Sequence, residues 1–207
     1  MHPNPTFRGT KCDESLAFAR QRAFGTLSVS AEGAPLLSHV PFLLAEDGGS
    51  ADLHLVRSNP IARAARDGLP ARLAVSGADG YISPDWYGLG PDQVPTWNYV
   101  AVHLTGRLVP LPRETLEPLL AAQSAFFEAR LPKAPWTMEK MTEETRTKLL
   151  RMILPFRLEL ESVDSTWKLG QNKPEAARRA AAGSLGGGIG QELDALAQLM
   201  RAPPESD

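Results

Sequence analysis

At 207 residues, 43% hydrophobic and 22% charged, the chain has the make-up of one ordinary globular domain, with or without an appendage. A net charge of −2 and a pI near 6.1 exclude long-range attraction to nucleic acid or to an acidic membrane. The single cysteine, Cys12, excludes an internal disulfide, and MHPNPTFRGT holds no apolar leader, so a cytoplasmic setting is expected.

In chain order, Asp13 is placed to cap a short helix over 14–23. The apolar period then changes to two. FGTLSVS reads as a strand, AEGAP as a turn, LLSHVPFLLA as a second strand and LHLVR as a third. Asn59-Pro60 opens a helix over 60–67, with Asn as cap and Pro at the first position, and Gly68 stops it. ARLAVSG is the fourth strand, and 78–95 reads as a long structured loop. TWNYVAVHLTGRLVPL is the fifth strand, followed by a helix over 113–130. Thr142 caps a further helix that Pro155 ends near Leu154, and FRLELES is the sixth strand. After WKLGQNK come an Ala-rich helix, a glycine hinge at 186–190 and an amphipathic helix over 190–201. Strands joined by short turns predict a mainly β, α+β fold: a six-stranded antiparallel barrel with flanking and C-terminal helices.

Three segments carry chemistry. In His54-Leu-Val-Arg-Ser-Asn-Pro60 a strand delivers Arg57 and Ser58 to a helix start, where free N–H groups favour anions and a guanidinium can fork onto phosphate. Plain helix capping with a solvent-facing Arg is the competing reading. The aromatic stretch Tyr81–Tyr99 mixes Trp86, Tyr87 and Trp97 with Thr96 and Asn98, which suits either a planar ligand or a loop staple. Trp167-Lys-Leu-Gly-Gln-Asn-Lys173 ends a strand in a dense set of donors. Alternatively it is a strand-to-helix turn with Asn172 as cap. His39, His54 and His103 oppose the aliphatic residues of their strands and match no metal spacing, so no metal site is expected. Arg178 and Arg179 read as a solvated face of the Ala-rich helix.

Taken in order, HLVRSNP, YISPDWY, VPTWNYVAVH and WKLGQNK, with FGTL and SHVPFLL before them, resemble the PaiB-like family, described as FMN-binding negative transcriptional regulators. The likeness runs to about residue 180. It implies a split β-barrel of the kind seen in pyridoxine-phosphate oxidases and flavin reductases, built as a homodimer with FMN at the subunit interface. On that resemblance Arg57, Ser58 and Asn59 hold the phosphate. Trp167, Lys168, Gln171, Asn172 and Lys173 come from the other subunit. Ser38, His39, Trp86, Thr96, Trp97 and Asn98 complete the expected FMN contacts. Gly170 and Lys173 stand where the family pattern has Ser and Arg, which predicts weaker FMN binding. Residues 1–182 would form the FMN domain, and 183–207 an unmatched hinge and helix.

The first function this implies is a redox or flavin-responsive regulator. The second is an FMN-dependent oxidoreductase, with His39 and Tyr87 as candidate catalytic groups. The third is a haem protein on the same barrel, with a histidine as axial ligand. No helix-turn-helix and no basic stripe accompany these motifs, so direct DNA binding is not expected, and nothing suggests a membrane partner.

Overall fold

A computed structural model of the chain describes residues 1–205. Its helices are α1 (Cys12–Arg22), α2 (Pro60–Ala64), α3 (Leu116–Glu128), α4 (Glu143–Leu150), α5 (Glu175–Gly183) and α6 (Leu193–Arg201). Its strands are β1 (Phe24–Val29), β2 (Leu36–Leu44), β3 (Ser50–Val56), β4 (Leu69–Ile82), β5 (Thr96–Pro110), β6 (Ile153–Lys168) and β7 (Gly190–Gln191). The hydrogen-bonded order β1-β2-β3-β6-β5-β4 returns to β1 and closes a six-stranded antiparallel barrel, and β7 adds to β4. Closure leaves the six barrel strands without the open edge that invites aggregation.

The residues group into two compact units. One holds residues 19–74 and 104–162 and the other 1–18, 75–103 and 163–205. In the first, alternation sets the core. Val40, Phe42 and Leu44 of β2 and Ala51, Leu53 and Leu55 of β3 point inward and are buried. His39 of β2 and His54 of β3 take the opposite face, as their parity predicts. β2 is pinned to β1 by the pairs Phe24 with Pro41 through Val29 with Leu36, so a one-residue slip would turn Phe42 to solvent. In the second unit Ile82, Val100, Leu169, Leu185, Leu196 and Met200 form a separate apolar cluster. Through Leu185, Leu196 and Met200 the described part of the segment from 183, up to 205, joins that core. The last two residues of the expected C-terminal appendage lie outside the described ones.

Five expectations are corrected. β4 runs on to Ile82, so residues 78–82 are strand and the loop is shorter. Gly77 looks like a breaker in sequence, but a Cβ there would lie 2.7 Å from Phe18 Cζ, so the glycine marks close packing within a strand. α1 begins at Cys12, which puts Asp13 in its first turn rather than at its cap. α4 ends at Leu150, before Pro155, because Ile153–Glu159 is drawn into pairing with β3. Asn172 is exposed and caps nothing; Pro174 precedes α5 without a side-chain cap. Arg178 is no solvated residue, since its guanidinium donates to the carbonyl of Met200 near the end of α6, the kind of contact that satisfies an orphan helix carbonyl. Arg179, beside it, keeps to solvent and pairs with Glu175.

Candidate functional site

β3 ends at Val56 and delivers Arg57 and Ser58 to the start of α2, both exposed. The Arg57 backbone N–H donates to the Met152 carbonyl at 2.8 Å, and its Nε donates to the Arg151 carbonyl at 3.1 Å. Those bonds fix the stem of the guanidinium and leave its terminal nitrogens available. Asn59 caps α2, its Oδ1 accepting the Ile61 N–H at 2.9 Å, while its Nδ2 donates to Ser38 Oγ at 3.0 Å. One side chain thus ties β2 to the helix start and consumes an N–H that sequence reasoning left for an anion. With only five residues in α2, anion binding here must rest on side chains.

Sequence reasoning missed Arg63. Its Nη2 donates to the Ser58 carbonyl at 3.2 Å, which brings a second guanidinium to the same turn. The only signal was its spacing, one helical turn beyond Asn59. His39 Nδ1 bonds Thr26 Oγ1 at 3.0 Å, and its ring stacks on Phe24 at 6.5 Å. Three side chains flanking this cluster are unusually open for their type: Phe24 at 54%, Leu37 at 64% and Val56 at 48% exposed. Each neighbours a polar member: Phe24 stacks on His39, Leu37 precedes Ser38 and Val56 precedes Arg57.

The other predicted residues fall in the second unit and divide sharply. Trp97 is 45% exposed and, with Tyr99 and Asp79, lines a hollow of about 340 Å³. Lys168 bonds Thr96 Oγ1, and its ammonium lies 5.9 Å from the Phe7 ring centroid; burial holds it below the ordinary lysine range. Lys173 donates to Gln93 Oε1 at 2.6 Å and lies 5.1 Å from the Tyr87 ring centroid. Gly170 takes a φ of +83°, a left-handed turn that a serine would enter only with strain. Gln171 braces that turn, accepting from Leu169 N at 2.8 Å and donating to the Trp167 carbonyl at 2.6 Å. Trp167, 5% exposed, donates to Ser15 Oγ at 3.3 Å and meets Phe18 edge-on. Asn98, 1% exposed, donates to Met200 Sδ at 3.4 Å. Tyr87 is buried, its hydroxyl pushed above the ordinary range, and Trp86 is half-buried against the same apolar cluster. Trp167, Asn98 and Tyr87 therefore pack the interior of their own unit.

A family model described as "Putative FMN-binding domain" matches residues 1–162. Protease synthase and sporulation protein PAI 2 of Bacillus subtilis (strain 168) is 28% identical over 171 residues, covering 82% of this chain and 81% of that protein. Among solved structures, the FAD and haem binding protein of Mycobacterium smegmatis superposes with a TM-score of 0.58 at 17% identity, covering 79% of this chain and 74% of that one. The conserved hypothetical protein Rv2991 of Mycobacterium tuberculosis gives 0.57 at 13% identity, with 84% and 94% covered. The flavocytochrome Anf3 of Azotobacter vinelandii gives 0.53 at 15%, with 76% and 67% covered. At such identities these three establish the fold alone. Among the described residues no helix is long and apolar enough to cross a membrane, and no group of three or more His, Cys, Asp or Glu is gathered for a metal. The barrel order, the match over most of the chain and the Bacillus relative converge: this chain belongs to the PaiB-like family of FMN-binding split barrels, and FMN is its cofactor.

Proposed function

We propose that the protein is a homodimeric, FMN-responsive regulator of the PaiB type, with the FMN phosphate held by Arg57, Ser58 and Arg63. The observation that carries this reading is the open polar turn. Arg57 is fixed by its stem with its fork free, Ser58 is exposed, and Arg63 stands against the Ser58 carbonyl. Two guanidiniums and a hydroxyl suit a group carrying roughly −1.5 to −2 charge. The bare Phe24, Leu37 and Val56 then meet the isoalloxazine or a second copy of the chain. From that second copy the segment 168–173 and Trp97 supply the remaining contacts, with Lys168 and Lys173 as the cations. His39, on the Thr26 hydroxyl, is the one catalytic candidate left at the surface. Bound flavin supplies one- and two-electron redox chemistry, and the protein's part is to hold and shield it.

The name of the Bacillus relative points to protease synthesis and sporulation, which are cellular programmes rather than a chemical step, and this favours regulation over metabolism. A net charge of −2 argues that the regulation does not pass through direct operator binding by this chain. Sedimentation velocity followed at the flavin absorbance tests the assembly. The expected species is twice the 22.4 kDa chain mass. An FMN-loaded monomer would end the shared-site reading. Rapid anaerobic turnover with NAD(P)H and an acceptor would replace the regulator with an oxidoreductase.

A further inference from the structure

A second hollow lies within the barrel-bearing unit, between the outer face of β2 and β3 and the helix α3. It is an open hollow of about 300 Å³, at the lower end of ligand-binding pockets and enough for one substituted ring. Its walls are apolar and aromatic, with Pro41, Leu120, Phe127 and Trp136. Three polar groups interrupt them.

The first is His54. The Gln123 amide N–H donates to the Pro41 carbonyl at 3.4 Å, so its oxygen is turned toward His54 Nδ1, 3.0 Å away. An amide oxygen only accepts, so Nδ1 carries the proton and Nε2 holds a lone pair. Burial lowers the His54 pKa and keeps that ring neutral, an effect the Gln123 bond partly opposes. No protein group among the described residues bonds Nε2. Ser124 and Trp136 supply the second and third, a hydroxyl and an indole N–H on residues that line this hollow and the one beside it, neither bonded to a protein group among the described residues. Trp136 is held in place through its backbone N–H, which donates to Glu128 at 2.7 Å. Glu128 is itself kept ionised by Lys133 and by that N–H, and it lines the same hollow.

We infer that this hollow is a binding site for a small neutral aromatic molecule bearing one hydrogen-bond donor, of the phenol class, whose O–H donates to His54 Nε2. The aromatic walls take the ring. The Ser124 hydroxyl and the Trp136 N–H can donate back to the phenol oxygen. Among the described residues no Lys or Arg lines the hollow, and Glu128 is already paired with Lys133, so an aromatic carboxylate would lose its hydration uncompensated. The site does not depend on the FMN reading, although β3 carries both His54 and, three residues on, Arg57.

Calorimetric titration of FMN-saturated protein with para-cresol, para-fluorotoluene and para-toluate tests this. Expected is one cresol per chain, with the fluoro analogue weaker by roughly three- to tenfold, the worth of one hydrogen bond. The toluate should not bind. In His54→Leu the gap between cresol and fluorotoluene should narrow while FMN affinity holds. Equal binding of both by wild type would overturn the inference, and because it compares ligands it needs no variant to fold. No cresol binding at millimolar concentration, toluate binding as well as cresol, or discrimination undiminished in His54→Leu would each overturn it too.

Discussion

The cluster around Arg57 and the cluster around Trp167 use much the same residue types to opposite ends. Around Arg57, hydrogen bonds secure the backbone and the stem and leave the functional ends free: the guanidinium tips, the Ser58 hydroxyl, the outward ring of His39. Around Trp167 the capacity is spent internally. The indole meets Ser15 and the Gln171 amide closes the Gly170 turn on itself, so that only the Lys168 and Lys173 ammoniums, each with one side-chain hydrogen bond made, keep donors to give. Residue type nominates a ligand contact. What decides the role is whether hydrogen-bonding capacity remains once the fold is satisfied.

Trp167→Ala should break this contrast most forcefully. A buried tryptophan removed from a packed core costs about 3–5 kcal/mol of folding stability. Denaturant unfolding should show that loss, while FMN affinity of the folded variant holds. Unchanged stability with lost FMN affinity would mean that the ring faces the flavin after all. Asn59→Ala should be milder, at about 1 kcal/mol for the lost helix cap. It also unties Ser38, so FMN affinity should fall along with the thermal midpoint, whereas Trp167→Ala moves only the latter. The smallest expected effect concerns pH. The folded-state pKa of His54 is depressed below its unfolded value of about 6.5, so the unfolded chain protonates first as pH falls. Stability contributed by the neutral ring is complete above that value and declines between it and the lower folded pKa. Unfolding curves of wild type and His54→Gln should differ in pH slope across that window, and parallel slopes would show that burial does not hold His54 neutral.

Much of this was legible in the sequence because it is local. Alternation named the barrel strands, and Asn59-Pro60 named both a cap and the turn that presents Arg57 and Ser58. What escaped depends on partners distant in the chain. Trp167 is buried by Ser15 and Phe18, and Asn98 meets Met200, contacts that no short window contains. β6 outran its alternating stretch because Ser165 and Thr166 are buried polar residues, Thr166 accepting the His2 N–H at 3.1 Å, and so they break the period that sequence reasoning follows. Arg63 escaped because its contact is with a backbone carbonyl, which leaves no side-chain signature.

Most direct for the central claim is a calorimetric titration of wild type and Arg57→Ala with FMN and with riboflavin, which differ only in the phosphate. If Arg57 holds that group, FMN affinity falls roughly tenfold to hundredfold, the worth of a charge-assisted hydrogen bond, while riboflavin affinity and folding stability stay as they were. Equal losses for both flavins, or no loss for either, would contradict the account and return Arg57 to a capped turn with a solvent-facing side chain.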